Sequence, residues 1–171
     1  ENFILYDHSN GHTAKILARN HQYLGVNEAM KAYAARKLND GKLGVFWHTQ
    51  GSGKSYSMVL FAQKVRRKFA GSPTFVILTD REELNTQISD TFENCGLLGK
   101  TKATQFIATS GDDLVQKLKG NPSFIFTLIQ KFNEPNAEPI YPDHDIIIMS
   151  DEAHRSQYGI FADNMMKLLP T

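Results

Sequence analysis

The sequence predicts an α/β fold: a central parallel sheet covered by helices on both faces, three layers in all. Three observations predict it. Short apolar runs recur at Gly44–His48, Thr74–Thr79, Ser123–Leu128 and Asp145–Met149. Their length and near-continuous hydrophobicity suit strands buried on both faces. Segments with apolar residues at helical spacing separate them, most clearly Lys54–Phe69 and Glu82–Phe92. Finally, glycine-rich or charged residues follow the runs, and the carboxyl ends of strands are where open parallel sheets bind ligands.

In chain order, residues 1–6 read as a short strand and 7–13 as a turn built on Asn10-Gly11. Ala14–Leu38 reads as helical, in two pieces broken near Tyr23–Gly25, with Val26, Met30, Tyr33, Ala34 and Leu38 at helix spacing. Asp40-Gly41 ends it. Gly44–His48 reads as a buried strand. Lys54–Phe69 is a helix whose face is Met58, Phe61, Ala62, Val65 and Phe69, stopped by Gly71-Ser72-Pro73. Thr74–Thr79 is a second buried strand and Glu82–Phe92 a helix. Ala103–Ile107 reads as a strand, Asp112–Lys119 as a helix and Ser123–Leu128 as a strand. Residues 133–145 carry three prolines and four acidic residues and form a loop. Asp145–Met149 is the most apolar strand, and Tyr158–Leu169 closes with a helix. Two parts are expected: an N-terminal strand and helical segment over 1–42, and the main domain over 43–171.

The chain has 171 residues, 41% hydrophobic and 22% charged, which suits a folded soluble protein. A net charge of +1 neither demands nor excludes a nucleic-acid partner. Cys95 is the only cysteine, so no internal disulfide is possible and a reducing cytosol is expected. The apolar runs are too short to span a bilayer, and no signal peptide opens the chain. The start at Glu1-Asn2, without methionine, and the bare Leu-Pro-Thr end are what a piece of a longer protein would show.

Residues 49–55 read Thr49-Gln50-Gly51-Ser52-Gly53-Lys54-Ser55. Between a strand and a helix, this is the context of a phosphate-binding loop. Glycines let backbone N–H groups turn toward an anion, and the helix N-terminus adds its dipole. Lys54 would reach the β- and γ-phosphates and the Ser55 hydroxyl would ligate Mg²⁺. Taken alone, Gly-Lys-Ser is also an ordinary flexible turn. The usual upstream glycine is missing, and His48 stands in its place.

A phosphate loop needs an acidic partner. Residues 145–154 read DIIIMSDEAH, which places Asp151 and Glu152 at the carboxyl end of a strand. Asp151 would hold Mg²⁺, and Glu152 would orient and deprotonate the attacking water. Two acids after a strand also suit a helix N-cap; the glycine loop tips the balance toward a paired site, with the two clusters facing each other across adjacent strand tips. His8 and His12 are four apart, but Ser9-Asn10-Gly11 between them is turn chemistry rather than a helical metal site.

The short core Gly51-Ser52-Gly53-Lys54-Ser55 and the letters Asp151-Glu152-Ala153-His154 resemble superfamily 2 helicases and translocases. The stretches ARNHQYLGVNEAM (18–30), FWHTQGSGKS (46–55), VILTDREELNTQI (76–88), LIQKF (128–132) and MSDEAHRSQYG (149–159) resemble, more narrowly, the motor subunit of type I restriction enzymes. That resemblance implies a RecA-like first motor lobe that uses ATP and Mg²⁺. It implies that Gln22 recognises adenine with support from Arg19, that His154 couples the nucleotide to a second lobe, and that Thr79, Arg81, Gln130 and Lys131 track the DNA backbone. It implies double-stranded DNA and the modification and specificity subunits of a restriction complex as partners, in a bacterial or archaeal cytoplasm. A nuclease domain before this region and a second lobe with an arginine finger after it are absent from the sequence. The basic run Lys64, Arg66, Arg67, Lys68 reads as a solvated face, with DNA or inter-domain contact as the other reading. A type III restriction subunit, a repair helicase or a non-catalytic anion-binding assembly module are the alternatives.

Overall fold

The computed structural model describes residues 3–47, 49, 51–133, 138–151 and 158–170. It divides the chain into two units. The first is Glu1–Ala70 with Thr91–Gly99, and the second is Gly71–Asp90 with Lys100–Thr171. Among the described residues no helix is long and apolar enough to cross a membrane.

The first unit opens with an antiparallel hairpin, β1 (Ile4–Asp7) and β2 (Ala14–Leu17), in register from Ile4 opposite Leu17 to Asp7 opposite Ala14. The expectation of a helix from Ala14 is therefore corrected. Gly11 adopts a left-handed φ of 72°, which turns the chain back on itself, and backbone pairing with β1 overrides the helical bias of Ala-Lys-Ile-Leu. Helix α1 (Asn20–Ala34) then runs unbroken through Tyr23–Gly25, a second correction. Gly25 stays helical because a neighbour needs its bareness: a Cβ there would sit 1.8 Å from Cε2 of Phe46.

That same ring explains a third difference. Gly44–Trp47 is not a strand. Gly44 has a φ of 103°, Phe46 lodges against α1, and Val45 and Trp47 are 93% and 85% exposed. The run is held by a helix rather than by a strand partner. After the glycine loop comes α2 (Lys54–Lys68), which buries Val59, Leu60, Phe61, Ala62 and Val65. Helix α1 packs on it, with Tyr33 edge-on to both Phe61 and Phe69.

The second unit holds a three-stranded parallel sheet. Its strands are β3 (Thr74–Thr79), β4 (Phe124–Leu128) and β5 (Ile146–Ser150), in the order β4-β3-β5. Helix α3 (Glu82–Asn94) follows β3, α4 (Gly111–Lys119) leads into β4, and α5 (Tyr158–Leu168) follows β5. All six residues of β3 are buried, as a central strand covered on both faces requires. On one face Val76, Leu78 and Ile125 join Leu114 and Leu118 of α4 and Leu168 of α5 in a single cluster. On the other, Phe75 and Phe124 stack with ring centres 5.5 Å apart and Phe106 meets Phe124 edge-on. Fully burying side chains of this size stabilises by roughly 1.5–3 kcal/mol each. The strand expected at Ala103–Ile107 is instead a 3-10 turn at Ala103–Gln105 and one parallel bridge, Ile107 to Phe126. The turn consumes the residues that a longer pairing would need.

Candidate nucleotide site

In the first unit, the glycine loop is shaped by backbone that only glycine takes easily. Gly51 has φ 76° and Gly53 φ 83°, and Gly53 is the left-handed N-cap of α2. The first turn of α2 contains no acidic residue, so no carboxylate of its own competes with an external anion for the dipole at its start. Lys54 and Ser55 are the first two residues of that helix. The Ser52 N–H donates to the Thr49 carbonyl at 3.2 Å, while Thr49 itself is exposed.

The loop is braced from outside by the first turn of α1. The Gln22 Nε2 donates to the Gly53 carbonyl at 2.9 Å, and His21 Nε2 lies 3.1 Å from the Ser52 carbonyl. Gln22 is 4% exposed, and its Oε1 accepts from the Arg19 N–H at 2.9 Å, which satisfies the backbone donor just before the helix. Each end of the Gln22 amide thus makes one hydrogen bond within the protein, which leaves a second N–H and a second lone pair for the adenine role expected of it. Arg19 meets Gln22 through its backbone.

A second tie secures α2 one turn into the helix. Tyr56 donates to the Asp7 carboxylate at 2.5 Å, joining α2 to the hairpin. Burial pushes the Asp7 carboxyl up, but Tyr56, the Ser9 N–H and hydroxyl and His8 pull it further down, leaving it below the usual carboxylate range. The same hydrogen bond, with burial and the Asp7 charge, raises the Tyr56 hydroxyl to about 12. Burial above all, and Asp7 second, raise the Cys95 thiol to about 12. Neither His21 nor the Asp7–Tyr56 tie was expected from the sequence. His21 stands beside Gln22 in the same stretch, yet a contact across 31 residues leaves no mark there.

In the second unit, the Asp151 N–H donates to the Leu78 carbonyl at 2.9 Å. This carries the β5–β3 pairing one residue past Ser150, so Asp151 stands beside Thr79 at the carboxyl ends of the two strands. Thr79 is fully buried, with its hydroxyl toward the Arg81 carbonyl. Arg81 is more than half exposed and lies 3.7 Å from Asp80. Exposed Gln130 donates to the Asp80 carbonyl at 3.0 Å. Thr79, Arg81 and Gln130 are thus gathered around Asp80, while Lys131 turns away to donate to the Ala108 carbonyl. His48, Gln50, Glu152 and His154 lie outside the described residues.

Mg²⁺ and ATP are the groups this chemistry implies, and the residues present fit the nucleotide. The Ser52 hydroxyl is buried and has no hydrogen-bond partner among the described residues. It lies between two left-handed glycines, at the mouth of a helix free of carboxylates, which is a donor set suited to phosphate oxygens.

A glycine loop opening a helix, together with a parallel sheet ending in charged groups, defines a RecA-like ATPase domain. A family model for SWI2/SNF2 ATPases matches residues 21–171, and the chain belongs to that family. It is similar to the type I restriction enzyme HindI endonuclease subunit of Haemophilus influenzae, 41% identical over 167 residues that cover 92% of this chain and 16% of that protein. A Methanocaldococcus jannaschii protein, provisionally named as the type I restriction enzyme MjaIXP endonuclease subunit, is 34% identical over 180 residues, 99% of this chain and 16% of the relative. The chain thus spans about a sixth of the length of these relatives.

Proposed function

We propose that this chain is the ATP-binding first lobe of a type I restriction motor subunit. In the whole protein, ATP hydrolysis would drive movement along double-stranded DNA and feed a nuclease, within a complex of modification and specificity subunits in a bacterial or archaeal cytoplasm. The observation that carries the reading is the glycine loop. Its two left-handed glycines, unpartnered Ser52 hydroxyl and carboxylate-free helix start are joined to a family match that names an ATPase.

In this reading Gly51, Ser52 and Gly53 cradle the phosphates, with Thr49 and Gln50 at the rim. Lys54 neutralises the β- and γ-phosphates. Bound Mg²⁺ would supply charge neutralisation at the phosphates, with the Ser55 hydroxyl and Asp151 as the groups to hold it. Glu152 would hold the attacking water in line and take its proton. Gln22 and His21 keep the loop in its binding shape, and Gln22 would meet adenine through the second amide N–H and the second oxygen lone pair. Arg81 and Gln130 would meet DNA phosphates, contacts that position a duplex without reading its sequence. Thr79 and Lys131 would act behind them, one through its backbone and the other after releasing Ala108. His154 would relay nucleotide state to a second lobe.

The test is a titration of the chain with Mg·ATP, with and without duplex DNA. Saturable ATP binding that Lys54→Ala removes, with slow turnover, is the expected result. In such motors an arginine finger supplied by a partner lobe is worth on the order of 10³–10⁵ in rate. Rapid DNA-stimulated turnover by the chain alone would overturn the need for a second lobe. Binding that survives Lys54→Ala intact would remove the loop from the mechanism.

A further inference from the structure

The net charge of +1 conceals two oppositely charged units. The first holds eleven Lys and Arg against five Asp and Glu, a surplus of six; the second holds eight against thirteen, a deficit of five. Seven of the eleven cations fall in two short stretches, Arg36–Lys42 and Lys64–Lys68. Asp40 is the one carboxylate in either stretch.

The fold brings these stretches together. Helices α1 and α2 run side by side in the same direction: Gln22 near the start of one meets Gly53 at the start of the other, and Tyr33 near the end of one meets Phe69 just past the end of the other, with ring centres 4.9 Å apart. Both helices begin at the glycine loop and end at a common far pole. There the Arg36 guanidinium lies 4.3 Å from the centre of the Tyr33 ring and donates to the Tyr33 carbonyl at 3.1 Å. Tyr33 links it to Phe69, the residue after Lys68.

Lys64, one turn before Lys68, is buried, over the Phe3 ring and donating to Asn27. Burial first, and the nearby Lys68 charge second, push its pKa down, as crowded cations should. Lys37, Arg67 and Lys68 are exposed and form no ion pair among the described residues. The dipoles of two helix C-termini explain one or two cations, not a surplus of six in one unit.

We propose that this pole of the first unit, formed by Arg36, Lys37, Arg67 and Lys68, is a second contact for the phosphodiester backbone of duplex DNA, in addition to the strand-end groups around Arg81 in the second unit. It rests on the reading of the chain as part of a DNA motor. The partner must be a polyanion because Lys37, Arg67 and Lys68 are exposed cations with no ion pair among the described residues, gathered beside the Arg36 guanidinium that Tyr33 holds in place. Duplex DNA is the polyanion that the proposed activity supplies.

The experiment measures affinity of the chain for a duplex of arbitrary sequence across a range of salt. It compares the unmodified chain with Lys37→Gln/Arg67→Gln/Lys68→Gln and, separately, with Arg81→Gln. The triple variant should lose about 2–3 from the slope of log affinity against log salt, near 0.9 per phosphate contact removed. Its Mg·ATP affinity and melting temperature should be unchanged, since the three side chains are exposed. An unchanged slope in the triple variant, with a reduced slope in Arg81→Gln, would overturn the second contact and leave the strand-end reading standing. No duplex binding by the unmodified chain at low salt would overturn both.

Discussion

His21 Nε2 sits 3.1 Å from the Ser52 carbonyl oxygen, so a side chain from the first turn of α1 holds the middle of the glycine loop. Gln22 holds the next carbonyl along. A loop whose carbonyls are tied from outside is held in one shape, and an anion then binds without first ordering the backbone.

Each tie is therefore expected to matter for nucleotide affinity. Removing one hydrogen bond of this kind costs about 1 kcal/mol, close to a fivefold loss. His21→Ala and Gln22→Ala should each weaken Mg·ATP binding by roughly that factor, read by calorimetry. Inorganic pyrophosphate separates the roles of Gln22. If Gln22→Ala weakens pyrophosphate as much as ATP, it works by bracing the loop; if only ATP suffers, it works on the base.

The Asp7–Tyr56 hydrogen bond should appear in the pH dependence of stability. Tyr56 has a raised pKa, so its contribution is complete below pH 10 and is lost as pH climbs toward about 12. Asp7 has a lowered pKa, so its contribution persists above the ordinary carboxylate range and is lost on the acid side as pH falls through the depressed value. Tyr56→Phe should destabilise by about 1–3 kcal/mol at neutral pH, because it leaves a largely buried carboxylate short of a donor. It should also flatten the alkaline limb. Urea unfolding between about pH 7 and 11 reads both.

Gly25 sets two effects against each other. Alanine in a helix interior is favoured over glycine by about 1 kcal/mol, but here its Cβ would lie 1.8 Å from the Phe46 ring. The clash should win: the ring must leave α1, and Gly25→Ala should lower the melting temperature. In Phe46→Ala the same change should become neutral or stabilising, which a double-mutant cycle measures.

Cys95 should be slow to react. Its thiol titrates at about 12, so little thiolate exists near neutrality. Alkylation by iodoacetamide at about pH 8, followed by mass spectrometry, should be far slower than for a free thiol with its ordinary pKa near 8.5. Asp7→Asn should accelerate it modestly by removing the second cause of the shift.

What could be read from the sequence divides along a physical line. Thr74–Thr79 was legible because a strand buried on both faces has no polar side to blur it, and the strand at 146–150 because Ile146–Met149 is an unbroken apolar run, although only Ile147 of that strand is fully buried. Helix α2 was legible from its periodicity and from Gly71-Ser72-Pro73 behind it. Ala14–Leu17 was not, because Ala, Lys and Leu favour helix while the pairing that decides the matter comes from Ile4–Asp7. Gly44–Trp47 has a strand's composition, yet the deciding contact is Phe46 on Gly25, a partner 21 residues back that no local pattern reveals. The glycine loop and Asp151 stood out as candidates because their residue types carry the chemistry themselves. His21 and Tyr56 could not, since they act on other residues rather than on a ligand.

Helices α1 and α2 have fifteen residues each, about 22 Å at 1.5 Å per residue. They are pinned to each other near both tips, by Gln22 on Gly53 and by Tyr33 on Phe69. Two rods clamped in this way behave as one stiff strut. A pull at the far tip cannot be absorbed by letting one rod slide along the other; it arrives at the cradle as displacement.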